Sequence, residues 1–120
     1  MAIILNHTVV PAHDKGACAR FFAQVFGLTY EGSNGHFAPV RINETLTFDF
    51  DTAKNFDFHH YAFHVSDEEF DAILKRVQDA GLPFGCDPWN REETLNDWNG
   101  GRGVYFDDPN GHILELMTRT

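Results

Sequence analysis

Apolar positions along the chain fall into two patterns, a two-residue alternation and a helical stripe, and the pair of patterns occurs twice. The β-branched run Ile3 to Val10, bounded by Pro11, predicts a strand. Asp14 then stands where a helix cap belongs. Cys18, Phe21, Phe22, Val25 and Phe26 give the stripe of an amphipathic helix that Gly27 closes. Leu28 to Glu31 reads as the start of a second strand, Gly32 to Gly35 as a turn, and Phe37 to Ile42 and Thr45 to Phe50 as a strand pair.

The order then starts again. His60 to Val65 predicts a strand, and Ser66 with Glu69 forms a capping box. Phe70, Ile73, Leu74 and Val77 supply a helical stripe that ends at Gly81. A strand near Leu82 to Gly85 precedes an irregular stretch from Cys86 to Gly100. Gly103 to Asp107 and Ile113 to Thr118 pair around the turn Asp108 to Gly111. His7 precedes Asp14 by the same interval that separates His60 from Asp67, and Gly27-Leu28 recurs as Gly81-Leu82. Repetition at that period predicts a duplicated strand–helix–three-strand module, roughly residues 1–53 and 58–120, within one α+β domain. The second copy alone carries the Cys86 to Gly100 insertion, and a loop of that length points to a lid or an interface.

Composition narrows the function classes. With 42% apolar and 22% charged residues, the 120-residue chain reads as a soluble globular domain. A net charge of −9 without a basic run disfavours nucleic-acid binding. Ala2 to Leu5 is too short an apolar stretch for a membrane span or an export signal, so the expected compartment is the cytoplasm, with Cys18 and Cys86 as free thiols.

Seven histidines justify a search for ligand spacing. Strand alternation places Glu115 on the face of Ile113 and Met117, where a carboxylate is anomalous in a dry core. Bringing His7, His60 and Glu115 to one surface removes the anomaly. Two imidazoles and a carboxylate suit iron, manganese, nickel, cobalt or zinc; the alternative is three unrelated polar residues. His60 and His64 stand roughly 13 Å apart on a strand, too far for one shared ion, so His64 reads as a polar group of the pocket wall. His13, His36 and His112 lie at strand ends or turns and read as solvated. No phosphate-binding glycine loop, G-x-S-x-G elbow or CxxC pair is present.

His60-Tyr61-Ala62-Phe63 and the run from Val104 through Asp108-Pro109-Asn110-Gly111-His112 to Leu116 resemble the vicinal oxygen chelate superfamily, which groups glyoxalase I, extradiol dioxygenases, fosfomycin-modifying enzymes and bleomycin-resistance proteins. The opening strand with His7 and the stretch Phe21 to Leu28 are similar to that family's first module. The resemblance implies two βαβββ modules whose mixed sheets curl into a cup, usually completed in a homodimer. It also implies a divalent metal held by residues matching His7, His60 and Glu115. Glyoxalase I uses a further Glu where this chain has Thr45 to Phe50, a strand whose one acid is Asp49. Fosfomycin-modifying enzymes carry Thr where this chain has Val9.

These readings together describe a metal-dependent enzyme that acts as a Lewis acid on a small substrate bearing two neighbouring oxygens. The rival is a metal-free or non-catalytic binder of the bleomycin-resistance type. Tyr105 is the candidate acid–base or oxyanion partner and His64 a second catalytic candidate. Phe48, Phe50, Trp89 and Trp98 are the candidate pocket walls. Arg91 is placed to orient an anionic group, with Gly100-Gly101 as the hinge of a moving loop.

Overall fold

The computed structural model describes residues 2–33 and 35–120, and the chain divides into two compact units, one ending at Asp57 and one running from Phe58 to Thr120. Asn34, in the expected Gly32 to Gly35 turn, lies outside the described residues. No helix of the described residues is long and apolar enough to cross a membrane. Cys18 and Cys86 are both free thiols.

The first unit is a three-stranded sheet with one helix. Strand β1 (His7–Ala12) leads to helix α1 (Lys15–Phe26), followed by β2 (Ala38–Arg41) and β3 (Thr47–Thr52). The sheet order is β1-β3-β2, with β1 parallel and β2 antiparallel to β3. The Asp14 carboxylate accepts from the Ala17 amide, and Gly27 takes the left-handed conformation (φ 72°) that ends α1. On β3 the alternation sends Phe48 and Phe50 to the helix side. There their rings lie 5.3 and 5.8 Å from Phe22, among the buried Val10, Ala12, Ala38 and Val40. The other face carries His7, Val9 and Pro11 opposite Thr47, Asp49 and Asp51.

Two strand expectations change here. The first strand begins at His7 and runs through Pro11; an edge strand tolerates the missing N–H, while Ile3, Ile4 and Leu5 before it are exposed. Leu28 to Glu31 forms no strand, and among the described residues nothing pairs with the outer edge of β2.

The second unit has four strands. Strand β4 (His60–His64) precedes helix α2 (Asp67–Asp79), then β5 (Phe84–Gly85), β6 (Gly103–Asp107) and β7 (Ile113–Met117), in the order β4-β7-β6-β5. As in the first unit, the opening strand runs parallel to the last. The Ser66–Glu69 capping box is complete, and the acids of the first helical turn complement the helix dipole. Phe70, Ile73 and Val77 of α2 are buried, as are Phe84, Val104, Phe106, Leu114 and Leu116 of the strands.

The β6–β7 turn is built on Asp108, whose Oδ1 accepts from the amides of Asn110 and His112. His112 corrects the expectation of a solvated ring. It is fully buried, and its Nδ1 accepts from the His59 amide at 2.7 Å, tying the turn to the entry of β4. A neutral imidazole with that acceptor occupied is satisfied without water.

Candidate metal and substrate site

Register decides which side chains share the face opposite the core of the second unit. Ala62 and Tyr105 flank Glu115 from either side; Ile113 pairs with His60 and Asp107, and Met117 with His64 and Gly103. Same-face residues of neighbouring strands are within side-chain reach of one another. Small Ala62 beside Glu115 leaves room for the carboxylate to meet His60, and His60 Nε2 lies 3.0 Å from Glu115 Oε1.

Glu115 is only 8% exposed, and Tyr105 is registered directly opposite it on β6, with its phenol beside the carboxylate. Burial first, then the Glu115 contact and its negative charge, raise the Tyr105 pKa well beyond the ordinary tyrosine range. Tyr105 is therefore a neutral phenol at physiological pH, a hydrogen-bond donor and not a base. Its ring lies 5.8 Å from that of His60 and 5.9 Å from that of Trp98, so three aromatic rings run side by side along this face.

The donor set fits a divalent cation. An imidazole nitrogen and a carboxylate oxygen already converge at hydrogen-bond distance, and the proton they share is what a cation displaces. His7 belongs to the first unit, at the exposed start of β1. Its Nδ1 donates to Asn6 Oδ1 at 2.8 Å, which leaves the lone pair on Nε2 free for a metal. Among the described residues no group of three His, Cys, Asp or Glu side chains lies together.

The remaining expected residues are distributed differently from their expected roles. His64 shares the His60 face, but its Nε2 donates to the Thr118 carbonyl at 3.1 Å and does not join the pair. Phe48 and Phe50 lie in the helix-side core, 3% and 1% exposed, and not on a pocket wall. Trp89 stands in solvent. Arg91 forks onto the Asp107 carboxylate with two bonds of 2.9 Å and donates to the Asp87 and Asn90 carbonyls, leaving one of its five N–H groups for a ligand. A cleft of about 760 Å³ lies between the α2–β5 connection and the Arg91–Glu93 segment, and none of its lining residues is His60, Tyr105 or Glu115. Sequence reasoning passed over Asp107 as a partner for Arg91, since it ends a strand 16 residues on, and over Asn96, which lies in the loop and carries no motif.

Comparison with known proteins assigns the family. Residues 4–116 match the model of the Glyoxalase/Bleomycin resistance protein/Dioxygenase superfamily. The solved structure of Oxidase ChaP-H2 superposes with a TM-score of 0.94 at 45% identity, covering 100% of this chain and 96% of that one. Oxidase ChaP-H1 gives 0.93 at 42% identity, over 99% of this chain and 98% of that one. Glutathione transferase FosA of Serratia marcescens is 28% identical over 119 residues, 93% of this chain and 78% of the transferase. With its two parallel-closed sheets and the His60–Glu115 pair on an open sheet face, the chain belongs to the glyoxalase/bleomycin resistance protein/dioxygenase superfamily.

Proposed function

We propose that this chain is a divalent-metal-dependent enzyme of that superfamily, acting on a small substrate through two neighbouring oxygens. The observation that carries the reading is the contact of His60 with the largely buried Glu115 on the sheet face opposite Val104, Phe106, Leu114 and Leu116. Metalloenzyme names among the relatives, a metallothiol transferase at 26% identity over 97% of this chain among them, support the metal. His60 and Glu115 would hold the ion, which is iron, manganese, nickel, cobalt or zinc, and the family resemblance adds His7 as a third donor.

A bound divalent ion supplies Lewis acidity toward a negative charge that develops on substrate oxygen. The chain's own residues prepare the place. Tyr105 keeps its own proton on the phenolic oxygen and faces the same side of the sheet as Glu115, as a donor for an oxyanion. Trp98 and Tyr105 together present aromatic surface on the Glu115 side of the pair.

The working form is a cytoplasmic homodimer. The outer edges of β1 and β4 carry no strand partner among the described residues, and Ile3, Ile4, Leu5 and Val9 expose apolar surface along the first edge. Such edges invite strand pairing with a second copy.

Metal analysis of the purified protein, repeated on His60→Ala, tests the assignment. About one ion per chain, lost in the variant, is the expected result. A protein that takes up no Mn²⁺, Co²⁺, Ni²⁺, Fe²⁺ or Zn²⁺ yet binds an aromatic ligand would overturn it in favour of a sequestering module. Sedimentation as a stable monomer at micromolar concentration would remove the dimer.

A further inference from the structure

The insertion from Cys86 to Gly100 has the composition of a mobile lid but is tied down along its length. Its first half is held by Arg91, whose side chain is 19% exposed and bonded to β6 through Asp107. Gly85 is the notch for that half, since a Cβ there would lie 1.7 Å from the Asn90 carbonyl oxygen. Glu93, in the left-handed region at φ 63°, donates its amide to the Phe84 carbonyl. A non-glycine residue keeps that conformation only where its surroundings enforce it.

The second half turns on Asn96. Its backbone exchanges two hydrogen bonds of 3.0 Å with Gly103 of β6. Its side-chain amide donates to the Cys86 carbonyl at 2.9 Å, closing the loop onto its own start. Its side-chain oxygen accepts from the Trp98 amide at 3.2 Å. Gly103 makes room for it, because a Cβ there would lie 2.4 Å from Asn96 Oδ1. Trp98 opens a single 3-10 turn that ends at Gly100, and within it Asn99 is also left-handed at φ 59°. The half-exposed indole is thereby set against the ring of Tyr105, which is registered opposite Glu115.

We propose that Asn96 is the positioning residue of a fixed wall, and that Trp98, which it holds beside Tyr105 and the His60–Glu115 pair, selects substrates whose paired oxygens are carried on a flat aromatic body. The selection rests on the metal-site reading above; the positioning does not. An aliphatic substrate with the same two oxygens satisfies the ion but gains nothing from the indole. A flat ring gains an aromatic contact comparable to other aromatic pairs, about three- to tenfold in affinity.

Both parts are testable, with Trp89→Phe as the background so that Trp98 is the remaining indole. In the metal-free protein, Asn96→Ala should raise acrylamide quenching of Trp98 at least twofold at temperatures well below melting. Asn96→Asp, which keeps the acceptor for the Trp98 amide but loses the donor to the Cys86 carbonyl, should restore part of the protection. Loss of stability with unchanged quenching would mean a purely structural Asn96 and would overturn the positioning. In the Co²⁺-loaded protein, Trp98→Ala and Asn96→Ala should weaken binding of 4-nitrocatechol about three- to tenfold while leaving acetohydroxamate and Co²⁺ affinity unchanged. Equal loss for both chelators, or none for either, overturns the selection. A wild type that binds no Co²⁺ sinks the metal reading and the selection together, while the quenching series still decides the positioning.

Discussion

Replacing Glu115 by Gln separates a metal ligand from an ordinary strand residue, because the exchange keeps shape and changes charge. In the folded protein without metal, the amide of Gln fills the same place beside the Tyr105 phenol. The bond to His60 becomes a neutral one, a loss of about 1 kcal/mol between charge-assisted and neutral hydrogen bonds. The cost is offset in part because a carboxylate between Leu114 and Leu116 no longer has to be buried. Melting without metal should therefore shift by only a few degrees. With metal the balance differs. Removing a residue that merely supports a ligand costs 10- to 100-fold in affinity, so losing an anionic ligand should cost at least ~100-fold, or ~2.7 kcal/mol. At a Mn²⁺ concentration ~100 times the wild-type Kd, binding stabilises the wild type by ~2.7 kcal/mol. A variant with ~100-fold weaker binding gains only ~0.4 kcal/mol. For a chain of this size that is roughly a 10 °C rise in Tm against about 2 °C. Thermal melts with and without Mn²⁺, backed by calorimetric titration, read both numbers. Glu44→Gln, in the β2–β3 turn, is the control and should behave as wild type. Equal Mn²⁺ affinity in wild type and Glu115→Gln, within about threefold, would refute the ligand assignment.

Three further perturbations test the surrounding structure. Tyr105 should ionise only above the ordinary tyrosine range, so the 295 nm alkaline titration of the wild type minus that of Tyr105→Phe should show no step near pH 10, where a free tyrosine titrates. Because its folded pKa is raised, the unfolded chain loses this proton first; Tyr105 contributes stability fully below ~pH 10 that declines as pH rises further, and a normal step near pH 10 would contradict its burial. Gly85→Ala should destabilise by at least ~1–3 kcal/mol in denaturant unfolding, because its Cβ would collide with the Asn90 carbonyl; a neutral result would mean that the loop is not seated on β5. Phe50→Ala should cost ~3–5 kcal/mol and leave Mn²⁺ affinity unaltered, whereas a pocket-wall Phe would give the reverse pattern of small stability loss and altered ligand binding.

Periodicity carried the helices and most strands because their signals are local. Asp14, Gly27, Ser66 and Glu69 act on backbone groups within one turn of themselves, and each occupies its expected cap. The strand ends were less legible. Ile3 to Leu5 has strong β-propensity but no partner, and pairing, which is non-local, is what makes a strand of such a run. Phe48 and Phe50 show a related limit. Alternation places them together on one face of β3, but only the position of Phe22 shows that this face meets the helix. A turn residue such as His112 is usually solvated; here its ring is paired with an amide contributed by His59, just before β4. Arg91 was drawn toward a ligand by its charge and its neighbouring tryptophans, while the Asp107 carboxylate that takes it lies beyond the whole loop in sequence.

The likeness of the two sheets explains why one carboxylate of the chain could be singled out and its counterpart could not. In each unit the opening strand begins with a histidine and runs parallel to the last strand of its sheet. His60 is registered with Ile113, and two residues on, Ala62 with Glu115; His7 is registered with Thr47, and two residues on, Val9 with Asp49. Asp49 therefore holds in the first unit the place that Glu115 holds in the second, a correspondence that the run Thr45 to Phe50 alone leaves open between Phe48 and Asp49. The chemistry at the two places still differs. Glu115 is one methylene longer and faces the small Ala62, and it meets His60; Asp49 is shorter, faces the branched Val9, and His7 turns its Nδ1 to Asn6. Side-chain length and the size of the residue across the ladder decide whether such a pair closes, which is why the second module presents a joined imidazole and carboxylate and the first presents an imidazole by itself.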